Sequence, residues 1–75
     1  MNKFQKRFDK LDDNKQMELI YKKWDKTELY YLILGFTCTD IGTLAFRQMK
    51  KRTIVAKYFH VLRSIYFESL GESNR

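Results

Sequence analysis

Not one proline occurs in this chain, and glycine stands only at 35, 42 and 71. A protein of many strands needs tight turns, and tight turns draw on those two residues for a fixed or positive φ. Little of that chemistry is present, so the chain is confined to helices joined by short connections. Its 75 residues leave room for one domain, since domains run to roughly 50–250 residues. The expectation is an all-α domain spanning residues 1–75, built from four to five helices. Apolar residues make up 44% of the chain and aromatics 16%. That is too apolar for a disordered tail, and so many rings must bury in a core or against a second chain.

Spacing places the helices. Phe4, Phe8 and Leu11 recur at helical intervals with Lys3, Lys6, Arg7 and Lys10 on other faces, which predicts a short amphipathic helix. Asp13-x-x-Gln16 reads as a capping box, in which side chain and backbone at a helix start satisfy each other's free N–H groups. Behind it Met17, Ile20, Tyr21 and Trp24 form an apolar stripe assigned to core packing. Asp25-x-x-Glu28 repeats the capping signal, with Thr27 as the other candidate cap, ahead of an apolar helix from Leu29 to Leu34 that Gly35 is expected to stop. Whether residues 14–34 form one bent helix or two is left open by the pattern. Thr37-x-x-Asp40 precedes a helix expected from about Thr39 to Met49 that buries Ile41, Leu44, Ala45 and either Phe46 or Met49. Thr53 is the expected N-cap of a last, long helix from Ile54 to Leu70, ended by Gly71.

Charge is unevenly distributed along this scaffold. Residues 1–40 carry eight basic and seven acidic groups, whereas residues 41–67 carry Arg47, Lys50, Lys51, Arg52, Lys57 and Arg63 with no acid. The net charge of +6 therefore arises almost wholly in one window. A run such as Lys50-Lys51-Arg52 is ordinarily a solvated face, but solvated faces mix signs and this one does not. Such a window suits nucleic acid, an anionic membrane surface or an acidic protein.

Helix, glycine, short helix, tight connector and long helix follow one another from about residue 27 to 70, the order of a helix-turn-helix. The stretch Gly35-Phe36-Thr37-Cys38-Thr39-Asp40-Ile41-Gly42 resembles the helix-turn-helix of LuxR-type and sigma-region-4 regulators, with Gly42 where that family usually has Ala. Thr53-Ile54-Val55 and His60 are similar to the opening of the family's second helix. A second register takes Ala45 as the small contact residue and Val55 as the anchor. The resemblance implies a DNA-binding transcriptional or replication regulator. Under it, Arg47, Lys50, Lys51, Arg52 and Thr53 meet phosphates, while Lys57, His60 and Arg63, with Ser64, face base edges. Arg52 and Arg63 are the stronger specificity candidates, because the guanidinium fork matches the guanine edge.

The last helix is apolar around most of its circumference, with Ile54, Tyr58, Val61 and Ile65 in one row and Val55, Phe59, Leu62 and Tyr66 in the next. One short chain has little left to cover both rows. A homodimer is therefore expected, with Ile65, Tyr66, Phe67 and Leu70 in its interface. The rival reading is a small helical inhibitor or adaptor that docks Tyr30, Tyr31, Tyr58, Tyr66 and Phe67 on a host protein that handles nucleic acid. A third is single-stranded or structured RNA, met by aromatics interleaved with Lys and Arg.

Other chemistry finds no pattern. No phosphate loop, zinc spacing or nucleophile–base pair is recognisable, so neither an enzyme nor a bound cofactor or metal is expected. Cys38 is alone and reads as a small buried apolar residue, His60 reads as an ordinary histidine when taken singly, and Asp12-Asp13 reads as a helix start. The longest apolar run falls far short of the ~20 residues a membrane span needs, and Met1–Lys10 lacks a signal-peptide pattern. A cytoplasmic location follows by elimination. The short, lysine- and tyrosine-rich, proline-free chain fits a phage or plasmid origin.

Overall fold

A computed structural model of the chain describes residues 1–37 and 42–72. Among them the fold is all-helical and holds six helices, more than the four to five expected: α1 (Lys3–Lys10), α2 (Asp13–Lys23), α3 (Lys26–Thr37), α4 (Thr43–Gln48), α5 (Lys51–Lys57) and α6 (Phe59–Glu72). None of these helices is long and apolar enough to cross a membrane.

Local side-chain chemistry explains the starts. The Asn2 side chain accepts from the Gln5 backbone N–H at 2.8 Å and the Gln5 side chain accepts from the Asn2 N–H at 3.0 Å, so α1 opens on a reciprocal box. Asp12, not Asp13, caps α2, its carboxylate accepting from the Lys15 N–H at 2.9 Å. Asp25 and Glu28 form the expected box, with bonds of 2.8 and 3.3 Å. Residues 14–34 thus make two helices, separated by the extended backbone of Trp24.

Several boundaries differ from expectation, each for a physical reason. Gly35 does not end α3, because glycine permits a left-handed stop without compelling one. The helix runs on to Thr37, whose hydroxyl donates to the Ile33 carbonyl at 2.7 Å. The Thr37–Asp40 capping signature, Cys38, the expected start at Thr39 and the buried place of Ile41 fall at least partly on residues 38–41, outside the described residues. Gly42 is the N-cap of α4 at φ 84°, a conformation that favours glycine. In α4 the expected burial of Leu44 and Ala45 is corrected: both are exposed, and Phe46 is the residue turned inward, with Met49 half-buried. Six residues make fewer than two turns, so only one large side chain can reach the core. Lys50 takes the cap position of α5, and Thr53 lies inside that helix. Gly71 lies inside α6 and does not stop it; a Cβ there would stand 2.8 Å from the Gln5 amide nitrogen, so a larger residue would displace the end of that side chain.

The expected single helix from Ile54 to Leu70 is interrupted at Tyr58 (φ −107°, ψ 27°). Hydrogen bonding passes through the bend, from the Tyr58 N–H to the Ile54 carbonyl and from the Leu62 N–H to the Tyr58 carbonyl, both 3.0 Å. The sequence holds no breaker at that point. Packing sets the bend, since Ile54 and Val55 on one side and Phe59 and Leu62 on the other all reach the same core.

That core joins Ile20 and Trp24 of α2 and its C-cap, Leu29 and Ile33 of α3, Phe46 of α4, Ile54 and Val55 of α5, and Phe59 and Leu62 of α6. α1 lies along α6, with Phe8 buried and stacked on Tyr66 at a centroid distance of 4.7 Å. The Gln5 amide donates to the Phe67 carbonyl at 3.2 Å and the Asn2 amide to the Leu70 carbonyl at 3.0 Å. Part of the cover for the second apolar row of α6 therefore comes from within the chain, and Ile65, Tyr66, Phe67 and Leu70, the expected dimer interface, are half-buried.

Gln16 is the one polar side chain in the buried set described. Its amide donates to the Phe8 carbonyl at 2.8 Å and accepts from the Arg63 Nε–H at 3.0 Å, tying α1, α2 and α6 together. Burial also pushes the Tyr66 phenol above its usual value. A raised folded-state value means the stabilising contribution is whole below the unfolded phenol's pKa of about 10 and is lost as pH climbs through the folded value. Tyr66→Phe should flatten that alkaline fall in stability, which urea melts at stepped pH would measure.

Candidate nucleic-acid interface

The residues that carry the charge excess divide by what they touch. On α5, Ile54 and Val55 are buried, so the opposite side of the helix faces water. Arg52, Thr53, Ala56 and Lys57 occupy it and all four are exposed. At about 100° per residue they form one strip, with a small alanine between the longer side chains. Lys50, at the cap, and Arg47, in the last turn of α4, extend the strip along the connector, and both are exposed.

Lys51 and Arg52 turn back toward α2. The Lys51 ammonium lies 4.3 Å and the Arg52 guanidinium carbon 4.7 Å from the centre of the Tyr21 ring. A cation over an aromatic face contributes about 0.5–1 kcal/mol at an exposed site. Arg52 also lies 3.7 Å from Glu18, an exposed pair of the kind that contributes roughly 0–1 kcal/mol. Arg52 keeps most of its side chain in solvent at 72% exposure, so these contacts orient it without burying its charge. Lys51 is half-buried and is directed onto Tyr21. Among the described residues, no carboxylate lies within ion-pair distance of Arg47, Lys50 or Lys57.

Arg63 does not join this strip. Its guanidinium donates to Asp9 at 3.1 Å and to Gln16 at 3.0 Å, linking α6 to α1 and α2. A side chain assigned to base edges is thus held in an interhelical network, half-exposed. His60 is exposed on the first turn of α6, its ring 6.0 Å from that of Phe59, and Ser64 donates back to the His60 carbonyl at 3.1 Å. The next exposed position on that face is Glu68, so the outward side of α6 loses its positive character after one turn.

Tyr21 is the functional neighbour that spacing alone did not reveal. It sits in an apolar stripe at core positions, and only the packing of α2 against α5 shows that its ring receives two cations. Lys26 was missed likewise. Its ammonium donates to the Arg47 carbonyl at 2.7 Å and lies 5.8 Å from the Phe46 ring centre, fixing a further positive charge beside the end of α4.

The arrangement offers positive charge and the Thr53 hydroxyl on an exposed helix surface. Among the described residues, no three side chains of metal-ligating type converge. Compared with family models, curated proteins and solved structures, the chain matches none.

Proposed function

We propose that this protein binds duplex DNA as a small regulator, through the surface formed by the end of α4, the connector and the exposed side of α5. The supporting observation is the strip Arg47, Lys50, Arg52, Thr53 and Lys57, exposed together and opposed by a single carboxylate at 3.7 Å. The flexible ammonium groups and the Thr53 hydroxyl match phosphate oxygens, and affinity comes chiefly from counterion release. Arg52, steadied by Tyr21, is the group best suited to a base edge, since an oriented guanidinium loses less freedom on forming paired hydrogen bonds. α5 takes the place of the recognition helix in a helix-turn-helix reading, with α4 before it. Lys51 and His60 stand at the margins of this surface, and Arg63 serves the fold.

Titration of binding to a random-sequence duplex against salt tests the proposal. About three or four phosphates neutralised by Arg47, Lys50 and Lys57, with Lys51 at the margin, should make log affinity fall with log salt at about −0.9 per contact. A slope near zero, or no binding at low salt, rejects it.

A second reading is favoured by one feature, an apolar groove of about 450 Å³ beside α1, floored by Phe8 and Tyr66 and edged by Phe4, Leu11, Leu19 and Leu70. Arg7 and Lys10 also line it. It would suit a protein partner, as an inhibitor or adaptor requires. Such docking rests on apolar burial and depends weakly on salt, so the same titration separates the two.

A further inference from the structure

Beside the exposed strip of α5 lies a cleft that shares Arg47 with the duplex reading and is otherwise unused by it. It measures about 240 Å³ and is lined by Lys26, Thr27, Tyr30 and Tyr31 of α3 and by Phe46 and Arg47 of α4. Three of these are aromatic. Tyr30 packs edge-on against Phe46 at 4.8 Å and against Tyr31 at 5.6 Å, so the rings brace one another. Tyr31 remains 65% exposed, although its neighbours Leu29 and Ile33 are fully buried. A large ring held by packing and left open to solvent is a stacking surface.

The charges around it have one sign. Lys26 is anchored by its 2.7 Å bond to the Arg47 carbonyl, and Arg47 is exposed on the other rim. Among the described residues, no carboxylate lines this cleft. Asp25 and Glu28, which flank Lys26 and Thr27 in sequence, each accept a backbone N–H of the other in the α3 capping box. Glu28 lines a separate cleft that shares Tyr31 as a wall. The Lys26 side is thus the one that accepts an anion. A flat heterocycle next to a phosphate satisfies both halves of the site, by stacking on the ring and by charge at the rim.

We infer that this cleft seats an unpaired base of a DNA strand, stacked on Tyr31 with its phosphate between Lys26 and Arg47. This rests on the duplex reading, to which Arg47 connects it: the same arginine lies in the last turn of α4 and begins the cationic strip that continues through Lys50 to α5. Duplex DNA lies along α5, and a strand leaving the duplex turns into the cleft. The protein then prefers a junction of paired and unpaired DNA over a blunt end.

The test compares a blunt DNA hairpin with the same hairpin carrying a short oligo-dT overhang, by fluorescence anisotropy. The overhang should tighten binding about tenfold, the scale of one stacked base. Tyr31→Ala should erase that gain and leave blunt-hairpin affinity unchanged, with unaltered helix content by circular dichroism, and Tyr31→Phe should retain it. The inference is overturned if the overhang adds nothing, if Tyr31→Ala keeps the gain, or if that variant weakens both DNAs equally. Failure to bind the blunt hairpin at all rejects the duplex reading itself, a separate result.

Discussion

Under the duplex reading, replacing Lys50 and Lys57 together by glutamate should lower affinity for DNA by about a hundredfold at low salt and reduce the salt slope by about two contacts' worth. Each replacement moves the net charge by two, taking +6 to +2. These two positions are chosen because both are exposed and, among the described residues, neither lies in an ion pair; the Lys57 ammonium lies 5.7 Å from the centre of the Tyr58 ring, so its reversal removes one distant cation–ring contact. Lys51 and Arg52 are poorer choices. A glutamate at 52 would face Glu18, and either change would strip a cation from Tyr21. A glutamate at 57, at the C-terminal end of α5, opposes the helix dipole and costs about 0.3–1 kcal/mol, which a melting curve would register without loss of the fold. The companion Glu18→Lys removes the carboxylate beside Arg52 and should tighten binding severalfold. Unchanged affinity in the double variant, measured on protein of normal helicity, would remove α5 from the interface.

The cationic window was legible in the sequence because it needs only a count of signs along the chain. Which of its members reach solvent together was not. Arg63 reads as an outward base-edge group from its own helix, yet it is drawn to Asp9, 54 positions earlier. That pairing depends on α1 packing along α6, which no local spacing encodes. Gln16 shows the same limit from the other direction. Its three-residue offset from Asp13 is a good capping signature, but Asp12 caps α2 and Gln16 is left to bridge Phe8 and Arg63 in the interior.

Helix types followed from spacing, and boundaries did not always. The Asp25–Glu28 box rests on contacts within one helix start, so it survives folding intact, and the Phe4–Phe8 spacing correctly marks a helix although only Phe8 is buried. The Asn2–Gln5 box has the same three-residue spacing and is equally local. The bend at Tyr58 has no local signal, since both flanking segments are good helix and the core decides their angle. The apolar circumference of the last helix points, from sequence, to a second copy as its cover; part of the cover is the N-terminal α1, whose packing along α6 is apparent only in three dimensions.

Truncating Ile54 to alanine should cost about 2–5 kcal/mol, the range for removing a large aliphatic side chain from a packed interior. Ile54 is 0% exposed and carries α5 into the core beside Val55. Total stability for a chain this short is about 4–11 kcal/mol, at roughly 0.05–0.15 per residue. The loss is therefore a large share of the whole, and the melting temperature should fall by about 10–30 °C. α5 has few other attachments. It is seven residues long, its N-terminus has no side-chain cap, and its outer side touches water. Its position depends on the two buried residues and on the rings and charges at Tyr21. Loosening Ile54 should accordingly raise amide exchange first in α5 and at Tyr58, whose N–H is bonded to the Ile54 carbonyl. DNA should protect those same amides, because phosphates holding Lys50 and Lys57 favour the docked helix. Thr53→Ala, on the exposed side, is the internal comparison and should shift stability by less than about 0.5 kcal/mol. Equal effects at 53 and 54 would mean that α5 is not seated on the core, and the alignment of its cations would then have no structural basis.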